Sequence, residues 1–257
     1  MNKEPRGTVE VEIKNSIATI TFGTKKSNSL PGEVLQSLAD TILESASKDE
    51  VKALLIQSEG EKAFCAGASF EDLLAVQDLE SSKTFFGGFA KVLDAMRSCG
   101  KITVVRVQGK TTGGGVGIAC GADYCFATKQ ASFALTEINL GIGPFVIGPY
   151  VERKIGKSQF AAMAIDADFR SAEWGLSHGV YHKIFDTIEQ MDTELDGFLE
   201  TLASRSPEAL SLIKKVSWEN TEHFKDLTPE RVLMSASLIL EPSAKKSIEA
   251  IKLRLEK

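Results

Sequence analysis

The sequence predicts an α/β protein, and three observations carry that prediction. Short β-branched or alternating runs at 9–13, 17–22, 52–57 and 102–108 are separated by stretches whose apolar residues recur at helical spacing. A length of 257 residues suits one large core, with or without a smaller appendage. From about Asp192 the pattern turns almost wholly helical, which sets a C-terminal segment apart from an alternating core.

The first two runs, VEVEI and IATITF, are joined by Lys14, Asn15 and Ser16 and read as a hairpin. Residues 28–31 then introduce a helix with Val34, Leu35, Leu38, Ile42 and Leu43 on its apolar side. The core ALLIQ and the stretch Ile102 to Gln108 read as buried strands. Between them Ser69, with Asp72 three positions on, predicts a capping box, and a longer helix follows around Phe85 to Arg97. After Gly113 to Gly117 the apolar IAC predicts a short buried helix ending near Gly121, followed by strands at Tyr124 to Ala127 and Ser132 to Leu135. The segment GIGPFVIGPY at 141–150 is rich in glycine and proline yet apolar, so it reads as a packed turn leading into a helix.

Farther on, Leu195, Phe198, Leu199 and Leu202 share one helical face, and Ala209, Leu210, Leu212, Ile213 and Val216 another. Pro229 is expected to open a helix and Pro242 to end it, with Ile248, Ile251 and Leu255 forming an amphipathic side at the terminus. Helices of this kind either fold back on the core or pack against a partner subunit.

Composition narrows the function classes. Apolar residues make up 43% and charged residues 25%, an ordinary globular mixture. A net charge of -5 with a pI near 5.4 supplies no broad field for nucleic acid or an anionic membrane surface. No apolar run approaches the length of a membrane span, and the start MNKEPRG leads directly into a strand without a signal core. Cytoplasmic residence, or a compartment reached without a cleavable signal, is expected. Cys65, Cys99, Cys120 and Cys125 form no C-x-x-C pair, and His178, His182 and His223 lie far downstream. Buried free thiols, structural histidines, no metal site and reducing surroundings are therefore expected.

The most informative segment is QGKTTGGGVG at 108–117. Three consecutive glycines between a buried-type strand and an apolar helix imply close backbone approach or positive φ, and a helix start there aims free N–H groups outward. The dinucleotide fingerprint fails because Cys120 stands where its third glycine belongs, and no Gly-Lys-Ser/Thr closes a phosphate loop. A tight turn without a ligand and an anion or carbonyl site both remain open. In AFCAGASFEDLL, Gly67 and Ala68 precede the Ser69 cap, so a peptide N–H is presented openly there or the segment is a plain helix cap.

Together AFCAGA, GKTTGGGVGIACGADY and FALTEINLG stand in an order and spacing that resembles the crotonase (enoyl-CoA hydratase/isomerase) family over nearly the whole chain. The resemblance implies a spiral core of repeated ββα units over residues 1–191 and a C-terminal helical region, 192–257, that drives trimers or dimers of trimers. It implies an acyl-CoA thioester as substrate, with no separate cofactor because coenzyme A arrives on the substrate. The oxyanion-hole N–H groups fall on Ala68 and Gly114, and contacts to the CoA thioester fall on Ala66, Ala68, Gly113 and Gly114. Such donors favour enolate charge over the neutral carbonyl.

Hydratases of the family use two glutamates. Glu137 matches the later one, while the earlier position is Gly117. A lone carboxylate suits a shift of the double bond from position 3 to position 2, with Glu137 moving the proton, as in the family's Δ3,Δ2-enoyl-CoA isomerases. The alternatives are a hydratase or another acyl-CoA lyase or hydrolase of the family, and a non-catalytic acyl-CoA-binding protein. The neighbours Phe133, Leu135 and Ile138 are expected to bury Glu137 and raise its pKa. Phe85, Phe86, Phe89, Val92, Leu93, Phe145 and Trp174 are candidates for the acyl pocket, and Asp166 and Asp168 for auxiliary carboxylates or turn residues. Lys25, Lys26, Lys214, Lys215, Lys245 and Lys246 are candidates for the CoA phosphates.

Overall fold

The computed structural model describes residues 5–255 and confirms the alternating core. Strands β1 (Thr8–Lys14) and β2 (Ile17–Gly23) form the expected hairpin, in register from Thr8 opposite Gly23 to Lys14 opposite Ile17. Asn15 and Ser16 turn it with φ of 51° and 65°, the positive values a two-residue connection requires. Helix α1 (Gly32–Ala46) buries Val34, Leu35, Leu38 and Ile42, whereas Leu43 stays 46% exposed because its side of the stripe meets no neighbour.

From there the chain repeats one unit. Each turn lays one strand in a first sheet and the next in a second, then crosses by helix. The turns run β3 (Ala53–Ser58), β4 (Ala63–Cys65), α2 (Phe70–Leu74) and α3 (Leu79–Ser98); then β5 (Ile102–Val107), β6 (Lys110–Thr112) and α4 (Gly114–Gly121); then β7 (Tyr124–Thr128), β8 (Ser132–Ala134), a 3-10 turn (Glu137–Leu140) and α5 (Gly148–Asp166). The last elements are β9 (Arg170–Ser171), α6 (Ala172–Ser177), β10 (Lys183–Phe185), α7 (Ile188–Ser204), α8 (Pro207–Ser217), α9 (Phe224–Leu238) and α10 (Pro242–Leu255). The first sheet has the order β1-β2-β3-β5-β7-β10 and is parallel from β2 onward. The second has the order β4-β6-β8-β9, with only β9 antiparallel. This spiral of ββα units stacks the starts of the crossover helices beside the ends of the short second-sheet strands.

Several expectations need correction. Pro229 lies inside α9 and does not open it, and Pro242 opens α10 at its first position, where a missing N–H costs nothing. Ser69 does cap α2 by accepting the Asp72 N–H at 3.3 Å, but no capping box forms. The Asp72 carboxylate accepts the Gly32 N–H at 2.8 Å and pairs with Arg6, so it ties α2 to α1. The helical C-terminal stretch starts at Ile188, about a turn ahead of Asp192.

Within one chain the C-terminal helices pack back on the core. Met191, Leu195, Leu199 and Leu202 of α7 and Leu210 of α8 pack with Ile17, Leu55, Val104 and Phe126 on the outer face of the first sheet. Arg106 donates twice to Asp192, at 2.6 and 3.0 Å. Lys214 is buried and donates to Asp123 Oδ2 at 2.8 Å and to the Met96 carbonyl at 2.6 Å, while Trp218 Nε1 reaches Asp123 Oδ1 at 2.7 Å. Helix α9 lies along α3, where Ser82 donates to the Ala236 carbonyl at 3.0 Å. Ala244 and Ile248 of α10 pack against Leu140, Ile142 and Ile239, and the Leu255 side chain lies outside the described residues. Leu212, Ile213 and Val216 of α8 remain 60%, 60% and 61% exposed. Among the described residues no helix is long and apolar enough to cross a membrane.

Candidate active site

Two loops and a turn meet around a cavity of about 700 Å³. The first loop leaves β4 through Ala66, Gly67 and Ala68. Its start is held by two buried amides, since Asn28 Nδ2 and Gln108 Nε2 both donate to the Ala63 carbonyl at 3.0 Å. The Leu30 N–H donates to the Gly67 carbonyl at 2.8 Å and the Ser69 N–H donates to the Leu30 carbonyl at 3.0 Å. Alternate peptide groups of an extended segment point to opposite sides, so these ties turn the Ala68 N–H away from Leu30. Gly67 has φ of 83°, and a Cβ there would stand 3.2 Å from the Thr112 carbonyl oxygen and 3.8 Å from the Gly114 nitrogen. Only a glycine leaves the gap between the two loops open.

The second loop leaves β6. The Gly113 N–H donates to the Ala134 carbonyl at 3.1 Å, and Gly113 takes φ of 52°. A Cβ on it would come 3.2 Å from Glu137 Oε1, and one on Gly114 would collide with the Phe89 ring. Gly114 is the first residue of α4, so its N–H has no acceptor inside the helix and joins the positive end of the helix dipole.

Glu137 begins the 3-10 turn after β8. Among the described residues its Oε2 is buried without a hydrogen-bond partner, and loss of solvent pushes the carboxyl up to about 7. The cause differs in part from the one its neighbours suggest. Phe133 and Leu135 are buried, but Ile138 points outward at 47% exposure, and the apolar cavity wall supplies the rest of the desolvation.

The structure therefore brings Ala66, Ala68, Gly113, Gly114 and Glu137 to one cavity, together with Phe85, Phe86, Phe89 and Phe145. Val92 and Leu93 sit in the core behind that wall. Gly117 is closed off, because a Cβ there would be 2.7 Å from Ile147 Cγ2 and 3.3 Å from Leu93 Cδ1. The second carboxylate of the lining, Glu71, is exposed and paired with Lys26 at the mouth.

The other candidates go elsewhere. Trp174 stacks on His178 at 3.7 Å and meets the edge of Phe133. Asp166 pairs with Arg170 at 2.6 Å on the surface, which holds its carboxyl below the usual range, and its other oxygen accepts the Asp168 N–H. His182 Nδ1 accepts the Cys125 N–H at 3.0 Å, and burial lowers the ring to about 4. Among the described residues no group of three or more His, Cys, Asp or Glu could hold a metal ion. All four cysteines are free; Cys65, Cys120 and Cys125 are buried, and burial pushes the Cys65 and Cys120 thiols up to about 12. Lys214 is withdrawn from the phosphate candidates, since its ammonium is committed to Asp123 in the interior. Lys25 lines a smaller cavity of about 400 Å³ next to the mouth, and Lys26 borders both cavities.

Sequence reasoning missed Leu140, Ile142, Val146, Ile147 and Ser235 as cavity residues, and Asn28 and Gln108 as braces. The apolar 141–150 segment carried a signal for packing but not for a ligand, and nothing in the spacing ties a helix residue at 235 to a loop at 113.

The β-spiral, with two loop amides and one desolvated carboxylate at a single cavity, defines an α/β fold with an apolar pocket, and sequence comparison gives its family. Residues 12–252 match the enoyl-CoA hydratase/isomerase family, and the chain belongs to that family. It is 28% identical over 210 residues to the short-chain-enoyl-CoA hydratase of Clostridium acetobutylicum, covering 80% of this chain and 79% of that protein. It is also 28% identical over 239 residues to a carnitinyl-CoA dehydratase of Escherichia coli, covering 92% and 89%. Among solved structures, the enoyl-CoA hydratase of Bacillus halodurans superposes with a TM-score of 0.88 at 22% identity, covering 94% of this chain and 99% of that one. An enoyl-CoA hydratase/isomerase from Pseudoalteromonas atlantica superposes with a TM-score of 0.83 at 21% identity, covering 96% and 97%. At these identities the structures establish the fold alone.

Proposed function

We propose that the protein shifts the double bond of a 3-enoyl-CoA thioester to the 2-position, with Glu137 carrying the proton. The observation behind this reading is a single buried carboxylate, unpartnered at Oε2, beside the Gly113–Gly114 turn in a cavity whose other carboxylate is tied up at the mouth. The thioester oxygen accepts from the Ala68 and Gly114 N–H groups. Glu137 removes a proton from C2, breaking that C–H bond; the electron pair delocalises through C1 onto the oxygen and through the double bond to C4. The same carboxyl then returns the proton to C4. Each amide donor aimed at the developing oxyanion is worth about 3 kcal/mol. A carboxyl near 7 is suited to both halves of the cycle at neutral pH, ionised often enough to abstract and acidic enough to return the proton.

A second reading has its own support. The curated relatives reported above are named a hydratase and a dehydratase, and water addition or elimination by Glu137 would use the same amides. Against it stands Ile147, which fills the space in front of Gly117 where a second carboxylate would orient water. Product identity separates the two. Supplied with 3-enoyl-CoA thioesters the protein should yield 2-enoyl thioesters, and with 2-enoyl thioesters no 3-hydroxyacyl product. Rapid formation of 3-hydroxyacyl-CoA would select the second reading.

A further inference from the structure

The first amide proposed to hold the thioester oxygen lies on a loop that changes partner just before it. Strand β4 pairs with β6, Ala63 opposite Lys110 and Cys65 opposite Thr111. Beyond Cys65, three main-chain hydrogen bonds join the loop to residues 27–30. The Ala66 N–H donates to the Ser27 carbonyl at 3.2 Å, the Leu30 N–H to the Gly67 carbonyl at 2.8 Å and the Ser69 N–H to the Leu30 carbonyl at 3.0 Å. Where the Ala68 N–H stands therefore depends on where residues 27–30 stand.

Backbone preference alone does not hold those residues in shape. Ser27 and Asn28 follow one another with φ of 52° and 55°, in the left-handed region that Asn tolerates and Ser disfavours. The Asn28 side chain, 5% exposed, fastens the turn from three sides. Its Oδ1 accepts the Thr24 N–H at 3.1 Å, and its Nδ2 donates to the Glu59 carbonyl at 2.8 Å and to the Ala63 carbonyl at 3.0 Å. Both amide hydrogens are thus used, one at each end of the turn that carries β3 into β4. One side chain ties residues 27–30 to the chain entering the loop, and a buried amide whose donors are all satisfied makes a rigid joint. Thr24 Oγ1 adds a lesser tie by donating to the Ser29 carbonyl at 3.0 Å.

We infer that Asn28 is a positioning residue for the oxyanion site, setting the place of the Ala68 N–H through residues 27–30 from behind the wall that Ser27 and Ser29 contribute to the cavity. This deepens the proposed function and rests on its acyl-CoA reading of the cavity. The test compares the wild type with Asn28→Gly, which takes positive φ freely but lacks the ties, and with Asn28→Asp, which keeps the size and the acceptor for Thr24 but turns an oxygen toward the Glu59 and Ala63 carbonyls. Each protein is measured by steady-state kinetics on 3-enoyl-CoA and 2-enoyl-CoA thioesters. Each is also measured by infrared spectroscopy of bound saturated acyl-CoA thioesters of several chain lengths, labelled with carbon-13 at the thioester carbonyl. The wild type should lower the carbonyl stretch below that of the free thioester. Both variants should move it back toward the free value and lose roughly 10- to 100-fold in kcat with KM nearly unchanged. Thr24→Val, which removes the hydroxyl tie to Ser29, should move both readouts the same way by less, and it decides the matter if the Asn28 variants do not fold. A carbonyl stretch and kcat unchanged in the folded variants, whatever their loss of thermal stability, would overturn the inference. A wild type that binds none of the thioesters, or leaves the stretch of every bound one where it is in water, would instead refute the oxyanion reading itself.

Discussion

At the scale of single residues, the role proposed for Glu137 couples stability to activity through its protonation. Burial lifts its folded pKa to about 7, above the ordinary glutamate value of 4.5, so the native state holds a proton that the unfolded chain has lost between those values. Stability therefore falls as pH rises through this window, by about 3 kcal/mol in all, and stays low above it. The proposed proton abstraction needs the ionised form, so kcat/KM should rise across the same window to a plateau. Glu137→Gln removes both effects. Its rate should fall about 10²- to 10⁴-fold, and thermal unfolding above neutral pH should occur at a higher temperature than in the wild type. A variant less stable than wild type at pH 8 would show that the carboxylate is not held at a cost. Gly113→Ala tests the backbone beside it. With φ of 52° and a Cβ only 3.2 Å from Oε1, the substitution should cost about 1–3 kcal/mol and displace the carboxylate, read as a loss in kcat larger than any rise in KM. The motif glycines and Glu137 were legible in the sequence because their chemistry is local. Asn28, Gln108 and Ser235 were not, since each reaches the site across a distance in the chain that only the spiral closes.

At the scale of elements, α8 is fastened to the core by one buried ion pair. Lys214 and Asp123 have side chains 3% and 8% exposed, and Trp218 and Thr103 satisfy the remaining carboxylate sites. Lys214→Met leaves Asp123 uncompensated and should cost about 3–5 kcal/mol, measured by denaturant unfolding. Breaking the exposed Lys26–Glu71 pair should cost no more than about 1 kcal/mol. Equal effects would mean that the interior pair is solvated. Helical and strand periods located most elements, because each repeat buries one clear face. Prolines misled at α9 and α10: a helix that packs along α3 over its length tolerates Pro229 inside, and a proline at a first turn reads equally well as a stop for the helix before. A lysine in an amphipathic helix reads as solvated until the acid facing it is known, and Asp123 lies 91 positions away.

At the scale of the whole molecule, the family and its ββα spiral were legible from three motifs, while the reaction was not. The motifs place the two glycine-bearing loops and Glu137 at one cavity, whereas the proposed choice of reaction turns on Ile147, which closes off Gly117 from a segment without a motif. Leu212, Ile213 and Val216 give α8 an exposed apolar stripe while the other helices fold back. We propose that residues 192–257 supply the subunit contacts of a trimer. Sedimentation of the wild type at a multiple of 27.8 kDa, and a shift to single chains in Ile213→Asp/Val216→Asp, is the expected outcome. A monomeric wild type would remove that assignment without touching the active site. Proton movement by one carboxylate can be followed in deuterated water. With a 3-enoyl-CoA thioester, NMR should show the double bond moving to the 2-position with wild-type protein, with deuterium at C2 or C4 in the fraction of turnovers in which the proton held by Glu137 exchanges with solvent before its return, and almost no shift and no deuterium with Glu137→Gln. Exchange at the same rate in both proteins would mean that another group moves the proton.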